Sequence, residues 1–311
     1  MTSSPVPSET SSKSMPQWLE PIALLAPAGI WLGLLLVIPT LLIFQLSLVP
    51  GIRPGEVVNP SGLDNYLQIF QPVVIRPATA TAPAVMDFVY LKVIWRSLSF
   101  AIGTTFMCLL LGFPVAYFIA ITAPKNWRNL LLVGFVLPLW TSSLLRSYAW
   151  ITILRPTGVL NNVLTTVGLP TLDILNRPPA VYIGMTYSLL PYMVLILYAS
   201  LEKLDKRLLE AAADLGATPI QAFWKVTVPQ TLPGIAAGSL LVFITGLGDF
   251  INPELLGGTS SMTAARLIYN QFLGATQNWG FGSALSMVLI LAVSLAIALL
   301  IKYGDKNASS L

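Results

Sequence analysis

Apolar residues run along this chain in long blocks, with polar and charged positions gathered between them. A helix needs roughly 20 consecutive apolar residues to cross a bilayer. Six blocks come close to that length: Ile22 to Leu48, Leu98 to Ile121, Leu130 to Ile153, Ala180 to Leu201, Ile235 to Leu256, and Ala284 to Ile301. The first, second, fourth and sixth contain no charged residue, whereas Arg146 interrupts the third and Asp249 the fifth. Pro27, Pro39, Pro114, Pro138 and Pro191 fall inside these blocks. Neighbouring helices re-satisfy the carbonyls that a membrane proline frees, so kinked spans are predicted rather than missing ones. The pattern predicts an all-α fold, a polytopic membrane protein with six transmembrane helices in one domain over residues 18–311.

Composition agrees. Hydrophobic residues make up 55 % of the chain and charged residues 10 %, against roughly 25 % charged in soluble domains. The mean hydropathy is +0.76. The 17 basic residues are scattered and form no run, which argues against nucleic acid as a partner. Histidine is absent and Cys108 is the single cysteine, so the usual general base and the common metal-ligand clusters are missing. Cys108 reads as a small buried hydrophobe. Residues 1–17 are rich in Ser, Thr and Pro and read as a disordered tail. They lack the basic start of a signal peptide.

Orientation follows the Lys/Arg bias of short loops. With both termini inside, nine of the 17 basic residues fall inside and eight outside, a weak preference. The short connections decide it: Lys125 and Arg128 sit between the second and third spans, and Lys203, Lys206, Arg207 and Lys225 between the fourth and fifth. Both termini are expected in the cytoplasm, and the chain in the plasma (inner) membrane.

The connection at 202–233 carries the most information. Leu201, Leu204, Leu208, Ala211, Ala212 and Leu215 recur at three- and four-residue spacing, one apolar helical face. Gly216 reads as a helix stop. Thr218, Pro219 and Gln221 then read as N-cap, first helical residue and capping-box partner of a short second helix, which Pro229 ends. The predicted unit is helix, glycine turn, short helix, with a low-relief surface at Ala211 to Ala213. A helix lying on lipid headgroups is the other reading of that face.

Glu210-Ala211-Ala212-Ala213-Asp214-Leu215-Gly216-Ala217, followed by Pro219 and Pro229, resembles the EAA loop of binding-protein-dependent ABC permeases. The stretch Leu137 to Trp150, then Gly158 to Asn162, and Gly248 to Gly258 are similar to segments of the spermidine/putrescine permeases of that family. Asn252 departs from the pattern, standing where an apolar residue is expected. The resemblance implies that the 202–233 loop forms a cytoplasmic coupling helix seated on an ATPase. Glu210, Ala211, Ala212, Asp214, Gly216, Ala217, Pro219 and Pro229 would then be the coupling residues. It implies a second permease chain, a cytoplasmic ATPase dimer and an extracytoplasmic solute-binding protein, besides membrane lipid. The chain has no G-x-x-x-x-G-K-[ST] loop for a nucleotide. No cofactor is therefore expected on it, and ATP and Mg belong to the partner.

A charge at mid-membrane costs at least about 2.5 kcal/mol and usually faces a cavity or a partner. Asp249 and Arg146 are thus candidate path-lining residues, or an ion pair, or groups reaching for the interface. Glu254 lies five positions beyond Asp249. Tyr187 and Tyr198, eleven apart on the fourth span, share a face and could flank a cation with their rings, or simply pack. The expected function is a non-catalytic permease subunit of an ATP-driven importer, with polyamines as the favoured substrates. Iron, another small solute or an organic cation, or transport without ATP, are the alternatives.

Overall fold

The computed structural model describes residues 19–56, 62–76 and 85–308, so the expected tail at 1–17 lies outside the described residues. Helix α1 (Leu19–Ser47) leads to a short α2 (Asp64–Phe70) and a small antiparallel hairpin of β1 (Val73–Arg76) and β2 (Val85–Asp87). Then follow α3 (Val89–Tyr117), α4 (Lys125–Val136), α5 (Ser143–Leu154), α6 (Val159–Thr166) and α7 (Pro178–Leu201). Next come α8 (Lys206–Asp214), α9 (Pro219–Ala222), α10 (Val228–Leu247), α11 (Ile251–Leu256), α12 (Ala264–Leu273) and α13 (Trp279–Ala308).

Five runs are long and apolar enough to cross a membrane among the described residues: Leu25–Ser47, Val89–Thr122, Pro178–Leu201, Pro219–Leu247 and Trp279–Ala298. The third expected span, Leu130 to Ile153, is not one helix. Pro138 lies in a 3₁₀ turn at Leu137–Trp140, and the helical axis then turns by 94° into the Ser143–Thr166 segment. A proline cannot donate to the ladder, and here the chain tightens and breaks instead of kinking. Counted with that bent pair, the spans number six. Pro27, Pro39, Pro114 and Pro191 stay inside continuous helices, as expected.

Other boundaries move. The second span begins at Val89 rather than Leu98, so Arg96 lies inside a helix and not before it. The fifth run begins at Pro219 and passes through Pro229 and Pro233. Pro229 therefore does not end the short helix after Gly216. A π turn at Phe223–Thr227 carries α9 into α10 and absorbs the missing donor. The fifth span stops at Leu247, and α11 restarts after a break at 248–250.

The packed centre is the trio α3, α7 and α10. Cys108, Phe113, Ala116, Met193, Leu197 and Val242 are buried there together. Small residues let the backbones approach: a Cβ at Gly238 would lie 2.9 Å from Met193 Sδ. By contrast α1 packs mainly on α13 and exposes Leu32, Leu35 and Leu36, as a lipid-facing helix does. A second cluster of Ile69, Val93, Leu267, Phe281 and Leu285 ties α2, α3, α12 and α13 together at the hairpin end. Asn65 fixes α2 to the end of α1 by donating to the carbonyls of Ser47 and Val49, each at 2.9 Å.

Candidate functional site

Two regions carry the candidate residues. The first is the break in the fifth span. Backbone groups cannot be left bare inside a membrane, and Asp249 supplies the replacement acceptors at the start of α11. Its Oδ1 accepts from the backbone N–H of Ile251 (3.0 Å) and of Asn252 (3.2 Å). Its Oδ2 accepts from Asn252 Nδ2 at 2.6 Å. Ser147 of α5 donates to Asn252 Oδ1 at 3.1 Å and links the break to the bent third span. The apolar residue expected at position 252 is thus replaced by an amide that serves both partners.

Around this network lies a cavity of about 230 Å³. Arg146, Asp249, Asn252, Ser188, Tyr192 and Thr245 are among its lining residues. Arg146 and Asp249 face the same space, although neither a hydrogen bond nor an ion pair joins them. The Nε and Nη1 atoms of Arg146 are enclosed, with no acceptor among the described residues. The cavity therefore offers one carboxylate largely committed to its own helix and one guanidinium with donors to spare.

Three expected residues are not gathered there. Glu254 is ion-paired with Arg266, whose Nη1 also donates to the carbonyl of Gly258 (3.0 Å). Tyr187 packs edge-on against Trp150 with centroids 5.5 Å apart. Tyr198 donates to Glu202 at 2.8 Å, near the end of α7. Eleven residues do bring two side chains to one face, but also set them about 16 Å apart along the axis, so a shared face is not a shared site. Ser188 and Tyr192, one turn apart, occupy the cavity wall instead. Their four-residue spacing of polar side chains within an apolar span was the available signal.

The second region is the loop between α7 and α10. The helix expected from Leu201 onward is really two pieces, because α7 ends at Leu201 and Asp205 caps α8 afresh by accepting from Arg207 N–H (3.0 Å). Gly216 has φ +80°, the left-handed region that a residue with Cβ enters only at a cost of about 1 kcal/mol or more. Gly216 N–H bonds to the Ala213 carbonyl (2.9 Å) and Ala217 N–H to the Ala212 carbonyl (3.0 Å), a Schellman closure. Thr218 and Gln221 form the expected capping box, at 3.0 and 3.3 Å. Pro219 takes the first helical position. No residue of α8 is buried. Leu215 is 89 % exposed and Ile220 72 %, an apolar surface held in a fixed shape. Glu210, Ala211 and Asp214 are exposed beside it, and Ala212 and Ala217 are half-buried.

A bundle of apolar, broken spans with a rigid, outward-facing loop between the fourth and fifth is the architecture of a transport permease. The comparisons agree. The family described as binding-protein-dependent transport system inner membrane component matches residues 112–304, and the chain belongs to it. It is a non-catalytic, multi-pass membrane subunit of an ATP-driven importer. It is 40 % identical over 269 residues to the spermidine/putrescine transport system permease protein PotB of Haemophilus influenzae, covering 86 % of this chain and 88 % of that one. The protein of the same description from Escherichia coli is 38 % identical over 269 residues, covering 86 % and 91 %. Among solved structures, a bacterial ABC transporter involved in the import of the acidic polysaccharide alginate shares the fold at a TM-score of 0.66 and 21 % identity, covering 94 % of this chain and 96 % of that one.

Proposed function

We propose that this chain carries polyamines of the spermidine and putrescine class across the plasma membrane. It does so as one of two permease chains, with ATP and Mg held by a cytoplasmic ATPase dimer and solute delivered by an extracytoplasmic binding protein. The observation that carries the reading is 40 % identity, over most of both chains, to a permease of that description. In this reading both termini face the cytoplasm. The apolar surface around Leu215 and Ile220 enters a groove of the ATPase, with Glu210, Ala211, Ala212, Asp214, Gly216, Ala217 and Pro219 at the contact. Pro229 lies further along, in the α9–α10 run, and supports the contact from behind.

A polyamine must shed water to cross and must then be held weakly enough to leave. Asp249 fits that demand, because three of its hydrogen bonds already go to the chain itself and only part of its charge is left for a passing ammonium. Arg146 would limit how long a cation stays. The test is uptake of labelled spermidine and putrescine by the assembled complex, with Asp249→Asn beside wild type. Polyamine uptake that is impaired in the variant supports both parts. Uptake unimpaired in the variant removes the role of Asp249 and leaves the substrate class standing.

The enclosed, unpaired donors of Arg146 favour a second reading, a small solute that bears an anionic group. Uptake of such a solute with no uptake of either polyamine would establish it in place of the first.

A further inference from the structure

We propose that the groove between the first turns of α3 and α7 binds the headgroup of an anionic phospholipid, with Arg96 gripping its phosphate. The groove measures about 530 Å³, and its walls include Lys92, Trp95, Arg96, Ser99, Phe100 and Tyr182. No acidic residue lines it. Lys92 is already engaged, paired with Asp87 at 2.5 Å. Arg96 is not. It is half-buried, and among the described residues it has neither an ion pair nor a hydrogen bond. A guanidinium half removed from water without an acceptor is unfavourable, so the groove holds one uncompensated positive charge.

Depth argues for a lipid. The run Val89–Thr122 has 34 residues, which at 1.5 Å per residue is about 51 Å, against a hydrocarbon core of about 30 Å. Sharing the surplus between both ends leaves about 10 Å, or seven residues, outside the hydrocarbon at the Val89 end. Arg96 then sits at its edge, where phosphates lie. Trp95, 70 % exposed, stands at the same level, as interfacial aromatics do, and Tyr182 lies about one turn deeper, beside Ser99 and Phe100. The back wall is fixed. Tyr182 packs edge-on against Phe100 at 5.1 Å and donates to the Ser99 carbonyl at 3.2 Å. That leaves apolar ring surface for the glycerol and upper acyl chain, beneath a planar fork suited to phosphate. A side chain merely reaching for the interface needs no such acid-free groove with a fixed aromatic wall.

The full chain, in its assembled complex, is reconstituted into phosphatidylcholine bilayers containing brominated phosphatidylglycerol or brominated phosphatidylcholine. The chain has 8 tryptophans, so the Trp95 signal is taken as the difference between wild type and Trp95→Phe. Brominated phosphatidylglycerol is expected to quench it about fivefold more effectively than brominated phosphatidylcholine, the effect of one cation on an anionic lipid. The preference should fall at high salt and disappear in Arg96→Gln. If that variant does not assemble, the salt response of the wild type decides. Equal quenching by both lipids overturns the proposal. So does quenching by neither, which would mean that protein covers the groove. Loss of the preference on adding inorganic phosphate would overturn it in favour of a free anion.

Discussion

The α8–α9 loop and the Asp249 cavity are built by opposite means. In the loop the hydrogen bonds that shape its turns and caps span a few residues: Asp205 to Arg207, Gly216 to Ala213, Ala217 to Ala212, Thr218 to Gln221, with Lys206 reaching away to the Ile121 carbonyl. Those local bonds leave the apolar side chains of Leu215 and Ile220 facing outward. In the cavity, α5, α7 and the α10–α11 break each contribute side chains, and Ser147 reaches Asn252 across 105 positions of sequence. Local bonding makes a fixed surface that offers itself to something outside. Assembly across the bundle makes an interior whose shape changes whenever the spans move. A transporter that converts events on a partner into movement of a path needs both, and this chain keeps them on the two ends of one helical run, Pro219–Leu247.

The comparison breaks most sharply at Gly216. Placing Asp there forces a side chain into φ +80° and sets a charge beside Leu215 and Ile220. A Cβ at Gly216 meets nothing within 4 Å, so the rest of the fold is untouched. Gly216→Asp is expected to reduce uptake to background while the amount of chain in the membrane stays at the wild-type level, measured by labelled-solute uptake and by quantifying the chain in membrane fractions. Uptake at the wild-type rate would show that the loop's shape is not what the partner reads.

The same difference explains what the sequence made legible. Glycine at the end of α8, threonine and glutamine three apart, and proline at the first helical position act through neighbours along the chain. Reading them in order was therefore enough. The spans were legible as far as apolar length defines them. Their ends were not, since Lys92 and Arg96 extend α3 beyond its apolar block. The cavity was legible mainly in its charges. Arg146 and Asp249 stand out in apolar blocks, but Ser188 and Tyr192 became its wall only through packing of α7 against α5 and α11. Asn252 stood out as a polar residue in an apolar place, and its partners Ser147 and Asp249 came from the fold.

Gly184 probes the cavity from its back. A Cβ there would strike Leu256 and come within 2.8 Å of Asn252 Oδ1. Gly184→Leu should therefore push α11 off α7 and destabilise the chain by about 3 kcal/mol, read as a lower thermal unfolding midpoint in detergent together with loss of uptake. Asn252→Leu is a gentler test. It restores the apolar residue but strips Asp249 of its 2.6 Å donor and leaves Ser147 only the Ser143 carbonyl as acceptor. A loss of about 2 kcal/mol is expected. If Asn252→Leu unfolds at the wild-type midpoint, the polar network is not what holds the break in place.

Thr218 gives the smallest effect and the finest distinction. Its hydroxyl accepts from Gln221 N–H at 3.3 Å, and its own N–H donates to Gln221 Oε1 at 3.0 Å. Thr218→Ala removes the first bond and keeps the second, at a cost of about 1 kcal/mol to the start of α9. The site is exposed, so water can take over the freed N–H and the bundle should not notice. The unfolding midpoint of the whole chain is expected to shift little. Hydrogen exchange at Ile220 to Ala222 should instead rise about fivefold, the local equivalent of that cost. Coupling should weaken in proportion, seen as a partial fall in uptake with the ATPase present in wild-type amount. A Thr218→Ser variant retains the acceptor and should behave as wild type. Faster exchange with unchanged uptake would separate the rigidity of the loop from its task, and would mean that the exposed Leu215 and Ile220 dock without needing to be held in advance.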